Sequence, residues 1–185
     1  MRLRRAGLRL ARDDAEGALD DIRQTVPLAR QAGDPQQRVP WLAGCTRLLV
    51  VAGKRDEARQ LAPEALRAAG SAFVSWALVE LAFVAQELDF AEELADRLEH
   101  GPQSKWITAS RALLRNDFVT AADTLEEIGD AELEAHARLR AVEQLLAEGR
   151  RAEADEQLRR SLAFWKSVRA TRYIREGEAL FAAAS

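Results

Sequence analysis

The chain has 185 residues and a formal net charge of −3, with 31% charged residues, 48% hydrophobic residues and one cysteine. Alanine, leucine, glutamate and arginine are abundant, so this composition favours a folded helical chain and excludes a disordered one. The apolar residues form no run long enough to cross a bilayer, so no membrane partner is expected. Because Cys45 is alone, no intrachain disulfide is possible, which favours a cytoplasmic location.

The charge is unevenly distributed along the chain. Residues 80–134 carry 4 basic and 14 acidic side chains, whereas the flanking regions are weakly basic. A protein that binds duplex nucleic acid needs a continuous basic face. The acidic middle therefore predicts that nucleic acid is not a partner.

The first part of the chain predicts two helices. The first covers residues 2–12, and Asp13 or Asp14 can cap the second. Pro27 lies inside this second helix and predicts that it kinks or divides. Gly33 then supplies the residue type that commonly ends a helix.

Helix stop and start signals continue at short intervals. Asp34 and Pro35 begin a third helix, which runs to about Ala52. His100, followed by glycine and proline, is interpreted as a residue at a helix end and not as a metal ligand. The next predicted helices cover residues 55–69, run from Gly70-Ser71 through Gln86, and begin at Asp89. Further helices are expected after the turns Asn116-Asp117, Gly129-Asp130 and Gly149-Arg150, and Thr171 is expected to cap the last one. With strand signals nearly absent, the sequence predicts about eleven helices.

Small and large residues recur at a regular interval. The small residue just after each predicted hairpin turn is Ala18, Ala58, Ala91, Ala121 or Ala154, at separations of 40, 33, 30 and 33 residues. Trp41, Trp76 and Trp106 precede the matching alanines by 17, 15 and 15 residues. Such spacing indicates repeated helical hairpins in which large side chains pack against small ones. We therefore expect these tryptophans to lie in the core between hairpins.

This pattern resembles the tetratricopeptide repeat (TPR), and Gly53-Lys54-Arg55-Asp56-Glu57-Ala58 is its clearest copy. The resemblance implies an all-α fold: a right-handed α-solenoid of about five TPR-like hairpins plus a C-terminal capping helix, in a single domain. In such an array each hairpin contacts mainly the next. The expected hairpins are residues 1–33, 34–70, 71–101, 102–128 and 129–169, and the capping helix is 171–183.

A second resemblance concerns the segment Leu162–Leu180. It is similar to the C-terminal end of large bacterial ATP-binding regulators, in which a cyclase-like or DNA-binding domain and an AAA-type ATPase module precede a helical repeat region. This implies that the chain is the C-terminal sensor or scaffold part of such a regulator, or a stand-alone relative. Arg169 stands where a glycine is expected, which predicts a different turn there.

The sequence carries no pattern typical of an enzyme, a cofactor site or a metal site. Gly53-Lys54 lacks the preceding glycine of a phosphate loop, whose place is taken by Leu48, and Arg55 replaces the magnesium-binding hydroxyl. One cysteine and two distant histidines exclude zinc-ligand spacing. Cys45 is interpreted as a core residue, and His136 as a packed or partly exposed residue and not a general base.

Two functional hypotheses remain. The favoured one is a non-catalytic scaffold that binds a protein, a peptide or other domains of a larger parent chain, with homodimerisation as a further possibility. The alternative is a sensing domain that binds a small molecule inside the superhelix. An open, charged groove would favour the scaffold, and an enclosed apolar one would favour the sensor.

Four charged residues are the candidate partner-binding site. Arg47, Glu80, Arg111 and Glu143 recur at separations of 33, 31 and 32 residues and alternate in sign. In TPR-like hairpins this place lies on the concave face. Either the four side chains pair with one another as a ladder, or they form the floor of a groove and exchange these pairs for a ligand's charges.

Overall fold

The computed structural model describes residues 2–71, 75–100 and 103–183, and these fold into eleven α-helices without a strand. The all-α prediction is confirmed. The helices are α1 (Arg2–Ala11), α2 (Ala15–Gln31), α3 (Pro35–Val51), α4 (Arg55–Ser71), α5 (Ser75–Ala82), α6 (Ala91–Glu99), α7 (Lys105–Leu114), α8 (Phe118–Ile128), α9 (Ala131–Ala147), α10 (Arg151–Ser167) and α11 (Thr171–Ala183). None of the helices described is long and apolar enough to span a membrane.

One kind of turn ends six of these helices and also occurs once before α6. At Gly53 the backbone has a φ of 75°, and the next N–H, of Lys54, donates to Leu49 O at 2.8 Å. This bond satisfies a carbonyl that the helix end leaves without a partner. The same combination of positive φ and backward hydrogen bond occurs at Asp13, Asp89, Asn116, Gly129, Gly149 and Arg169. The different turn predicted at Arg169 is therefore not formed, because the arginine adopts the left-handed conformation itself, with a φ of 56°.

The predicted caps at the start of the helices are largely confirmed. Asp14 accepts a hydrogen bond from Gly17 N, and Asp34 accepts one from Gln36 N, both at 2.9 Å. Asp117 and Asp130 cap α8 and α9 in the same way. Thr171 is an exception, since it is the first residue of α11.

Four predicted helix features are wrong. Helix α2 continues through Pro27 without dividing, and α4 continues through Ser71. Helix α5 stops at Ala82, and residues 83–89 form turns where a helix through Gln86 was expected. Asp89 does not open α6, because its φ of 62° places it in the turn that precedes Phe90. The predicted stop at Gly101 and Pro102 lies outside the described residues.

His100 ends α6 as predicted. Its Nδ1 lies 2.8 Å from the carbonyl oxygen of Asp96, one of the last carbonyls of the helix. This hydrogen bond, together with the Asp96 carboxylate, raises the pKa of His100 above its ordinary value of 6.5. The residue is therefore a helix-end residue, as the sequence indicated.

Burial confirms the alanine pattern and corrects part of the tryptophan pattern. Ala18, Ala58, Ala121 and Ala154 are fully buried. Trp41 and Trp106 pack against the core while partly buried, but Trp76 is 46% exposed. Its expected core position is therefore wrong. The buried tryptophan is Trp165, which is 2% exposed.

Cys45 lies in the core, as predicted. It is fully buried in α3. Burial raises the pKa of its thiol to about 12, so the thiolate that a nucleophile or a metal ligand needs is not formed near neutral pH.

The helices contact one another largely in chain order. Each of α1, α3, α7 and α9 packs on the helix that follows it, and α3 and α5 also contact the next odd-numbered helix. Helix α11 contacts α9 and α10, and it also returns to α1. A Cβ atom added at Gly177 would lie only 2.8 Å from Leu158 Cδ1, which shows how closely α11 approaches α10. The first and last helices of the array therefore meet.

Candidate functional site

A half-open chamber of ≈ 470 Å³ lies where α3, α9 and α11 converge. The turn residues after α5 complete its wall. Its charged lining consists of Arg47, Arg55, Glu87, Arg140, Arg172 and Glu176. Its uncharged lining consists of Val50, Val51, Ala52, Gly53, Phe83, Val84, His136, Leu139 and Tyr173. Two classes of side chain, guanidinium groups and apolar or aromatic groups, therefore face the same space.

Arg47 forms the buried side of this chamber. The residue is 5% exposed and forms an ion pair with Glu80 of α5, and its Nη2 lies 3.4 Å from Glu132 Oε1 of α9. Burial by itself lowers the pKa of the Arg47 guanidinium, but the two carboxylates more than offset this effect, and the pKa is raised. Arg47 is therefore a permanent cation that connects three helices.

The four predicted concave-face charges are not joined into one ladder. Arg47 and Glu80 form a pair, as the spacing suggested. Arg111 instead donates to Leu98 O at 2.6 Å and to Gln103 Oε1 at 2.9 Å. Glu143 lies 3.5 Å from Arg140 on its own helix. Of the four regularly spaced charges, only Arg47 and Glu80 pair with each other. The proposed role of the four residues in partner binding stays a prediction.

Arg172 differs from the other cations of the chamber. Arg55 pairs with Glu87 at 2.9 Å, and Arg140 pairs with Glu143. The Nη2 of Arg172 donates to Val51 O at 2.7 Å, and no carboxylate of the described residues lies within 4.0 Å of it. Of the four lining guanidinium groups, Arg172 alone has only a neutral protein partner within the described part of the chain.

Aromatic rings form the inner wall. The His136 ring centroid lies 4.6 Å from that of Tyr173, 4.8 Å from that of Trp165 and 6.4 Å from that of Phe83, in edge-to-face arrangements. Such arrangements place the positive edge of one ring against the negative face of another. Trp165 Nε1 is buried here and has no hydrogen-bond partner among the described residues.

His136 and Tyr173 are both uncharged in this setting. Burial, reinforced by the positive charges of Arg47 and Arg172, holds the pKa of His136 well below its ordinary value of 6.5. Burial also raises the pKa of Tyr173 to about 12, although the same two guanidinium groups oppose that change. The wall therefore offers a neutral imidazole and a neutral phenol beside cationic groups.

The positive charges of the chamber are largely offset by carboxylates. Its four guanidinium groups face Glu87 and Glu176 in the lining, and Glu80, Glu132 and Glu143 pair with Arg47 and Arg140 from outside the lining. Partial desolvation and the nearby carboxylate of Glu143 raise the pKa of Glu176. No group of three metal-ligating side chains occurs among the described residues.

Sequence reasoning missed most of this site. Arg172 and Tyr173 fall in the segment that resembles the end of bacterial regulators, but nothing in the spacing indicated that they meet α3. The interpretation of His136 as a packed residue was correct, but the aromatic rings around it were not predicted. The one available signal was a cluster of aromatic and basic residues at the start of the last predicted helix.

No protein-family model matches the chain, and comparisons with curated proteins and with solved structures give no match.

Proposed function

We propose that this chain is a non-catalytic, TPR-like α-solenoid of about five helical hairpins that binds a small molecule in the chamber between α3, α9 and α11. The proposal depends chiefly on the chamber itself. Its volume of ≈ 470 Å³ lies within the range of roughly 300–1,000 Å³ that small-molecule sites occupy. The chamber is half open and six of its lining residues are charged, so it is neither the open groove expected of a scaffold nor the enclosed apolar site expected of a sensor. Its volume, and the convergence of several polar groups beside an apolar wall, support a small-molecule site.

The contact between the first and last helices supports a small ligand over a long one. Helix α11 contacts both α1 and α9, so the chain's own C-terminal helix occupies the space beside these two helices. A peptide bound against α1 and α9 at this place would have to displace α11. A small molecule fits beside it.

The same proposal includes a sensor role in a larger protein. We propose that the chain is the C-terminal part of a bacterial ATPase-linked regulator or a relative of one. The segment that resembles those regulators, Leu162–Leu180, supplies Arg172 and Tyr173 to the chamber. Ligand binding there would stabilise the docked position of α11. The change in the position of this helix would transmit ligand binding to the other domains of the regulator. In the full regulator, α11 docking would then differ between the free and the bound state.

The test uses a variant that fills the chamber. Val50 lines it, whereas Val168, just after α10, is 36% exposed and does not line it. Val50→Phe and the matched control Val168→Phe would be compared with the unmodified chain in a thermal-shift screen of a small-molecule library. We expect compounds that raise the Tm of the unmodified chain and of Val168→Phe, but not of Val50→Phe. Compounds that stabilise all three chains equally would place the ligand elsewhere and refute the proposal.

A protein- or peptide-binding scaffold is the second candidate, and the exposure of Trp76 favours it. Large aromatic side chains are enriched at the centres of protein interfaces, and 46% of this one is exposed. Peptides selected against the unmodified chain would support this candidate if Trp76→Ala weakens their binding and Val50→Phe does not. The reverse pattern would place the peptides in the chamber.

A further inference from the structure

We propose that the chamber ligand is a small organic acid with an apolar body, and that its carboxylate pairs with the guanidinium group of Arg172. This inference deepens the proposed function and depends on it. It identifies the chemical class of the ligand and the residue that recognises its charge.

The first argument is the pairing of the cations. Arg47 and Arg55 each have a carboxylate partner from another helix or turn, and Arg140 has one from its own helix. Arg172 donates one hydrogen bond to a neutral carbonyl. A guanidinium group has five N–H donors, so most of the donors of Arg172 remain for a ligand. Carboxylates match this planar group with two parallel hydrogen bonds.

The second argument is the set of neutral donors beside Arg172. Within the part of the chain that the structure describes, neither the Tyr173 hydroxyl nor the His136 imidazole has a hydrogen-bond partner. Both residues line the chamber. Both are uncharged near neutral pH, so each can donate one hydrogen bond to an anion without adding charge.

The third argument concerns the charge and the body of the ligand. Arg47, Arg55 and Arg140 are paired with Glu80 and Glu132, with Glu87 and with Glu143, respectively. Arg172 is therefore the single lining cation without a carboxylate within 4.0 Å among the described residues, and Glu176 of the lining also lies near it. One such cation favours a monoanion over a dianion. The rest of the wall, which includes Phe83, Val84 and Leu139, is apolar and suits an aromatic or aliphatic body.

The experiment uses three acid probes, namely benzoate, hexanoate and indole-3-acetate, each with its neutral amide, and inorganic phosphate as a separate anion. Binding is followed by calorimetry and by the ring signals of His136 in NMR spectra. The chain has two histidines, so a His100→Gln variant assigns the two sets of signals.

The variants test the guanidinium group directly. Arg172→Gln removes the charge and keeps a donor, and Arg172→Lys keeps the charge and loses the paired geometry. Arg175→Gln is the matched control, because Arg175 is on the same helix but is exposed and pairs with Asp13. Far-ultraviolet circular dichroism verifies that every variant is folded.

We expect at least one acid to bind saturably and to shift the His136 signals, while its amide binds at least about tenfold more weakly, because a charge-assisted hydrogen bond is lost. Arg172→Gln should weaken acid binding by a similar factor, Arg172→Lys by less, and Arg175→Gln should have no effect. Equal binding of acid and amide would refute the inference but leave the chamber as a ligand site. Phosphate binding as tight as that of the acids would also refute it. If no acid or amide shifts His136 at millimolar concentration, the inference is wrong, and the thermal-shift screen with Val50→Phe decides the proposed function separately.

Discussion

The carboxylate of Asp13 and the guanidinium group of Arg175 lie 2.7 Å apart although 162 residues separate them in sequence. Thr171 Oγ1 donates to the same carboxylate at 3.3 Å. These bonds connect the turn after α1 with α11. Contacts between neighbouring hairpins therefore do not describe the whole array, because its two ends also contact each other.

The Asp13–Arg175 pair should contribute little stability by itself. The two side chains are 40% and 69% exposed, and exposed pairs contribute about 0–1 kcal/mol. A double-mutant cycle with Asp13→Asn and Arg175→Gln should give a coupling free energy below about 1 kcal/mol. Asparagine is chosen because Asp13 has a φ of 66°, which asparagine tolerates. The coupling should decrease in high salt; a larger, salt-independent value would show that this pair, and not the packing of α11, holds the ends together.

The turn at Arg169 should be improved by glycine. Its φ of 56° strains any side chain with a Cβ, by roughly 1–2 kcal/mol, and glycine avoids this strain but loses more entropy on folding. We expect Arg169→Gly to raise the free energy of unfolding by about 0.5–1 kcal/mol. The converse change at the equivalent position, Gly149→Arg, should lower it, because Gly149 has a φ of 74°. Urea denaturation measures the free energy of unfolding of both variants. Changes of the same sign in the two variants would contradict this prediction.

The two tryptophans Trp76 and Trp165 should differ strongly in their contribution to stability. Trp165 is 2% exposed, so Trp165→Ala should cost roughly 3–5 kcal/mol, as for other buried aromatic side chains. Trp76 is 46% exposed, and Trp76→Ala should cost less than about 1.5 kcal/mol. Chemical denaturation of the two variants provides the comparison. A larger loss at Trp76 would restore the core position that the repeat spacing predicted.

His136 should make the chain less stable in acid. Its pKa in the folded chain is held well below 6.5 by burial, Arg47 and Arg172, so the unfolded state binds the proton more tightly. Its contribution to stability is therefore complete above pH 6.5 and is lost as pH falls from there toward the folded pKa. The slope should reach about 1.4 kcal/mol per pH unit for one proton.

The His136→Phe variant isolates this effect from the titration of carboxyl groups. The free energy of unfolding of the variant should change less with pH than that of the unmodified chain between pH 6.5 and the folded pKa. His100→Gln is the control with the opposite sign, since the pKa of His100 is raised and its contribution is lost as pH rises. Identical pH profiles for the unmodified chain and His136→Phe would contradict the prediction.

The helix ends could be predicted from the sequence because their causes are local. Asp14 and Asp34 bond to backbone N–H groups two or three residues away, and Gly53 ends α3 through its own φ. The prediction failed at Asp89, because this residue type is compatible with two local conformations. Asp89 can cap a helix, but it adopts the left-handed turn that glycine occupies elsewhere.

The chamber could not be predicted because its contacts depend on how distant helices pack. Spacing found the pair of Arg47 with Glu80, 33 residues away, since both recur with the repeat. It missed Glu132, which lies 85 residues from Arg47, and Arg172, whose partner Val51 lies 121 residues away. The first contact joins α3 to α9 and the second joins α11 to the end of α3, and no repeat period encodes either.

Arg138 is a fully buried cation that was not predicted from the sequence. Among the charged side chains replaced in these experiments, its removal should lower the free energy of unfolding the most. It is 0% exposed in α9 and donates to Glu134 and Gln157, each at 2.6 Å. It also lies 3.1 Å from Asp123 and 3.3 Å from Glu126, which connects α8, α9 and α10. A buried charge that loses its partner costs several kcal/mol.

Arg138→Met keeps much of the side-chain volume and removes the cation. We expect a loss of about 3 kcal/mol in the free energy of unfolding, because Glu134, whose side chain is only 19% exposed, loses its closest partner. Arg159→Met is the control: Arg159 is 69% exposed, pairs with Glu156 on its own helix, and should change stability by less than about 0.5 kcal/mol. Adding Glu134→Gln to Arg138→Met should recover part of the loss, since it neutralises a carboxylate that retains only Arg160, at 3.7 Å, as an ion-pair partner. No recovery in this double variant would show that lost packing, and not the charge of Glu134, accounts for the damage.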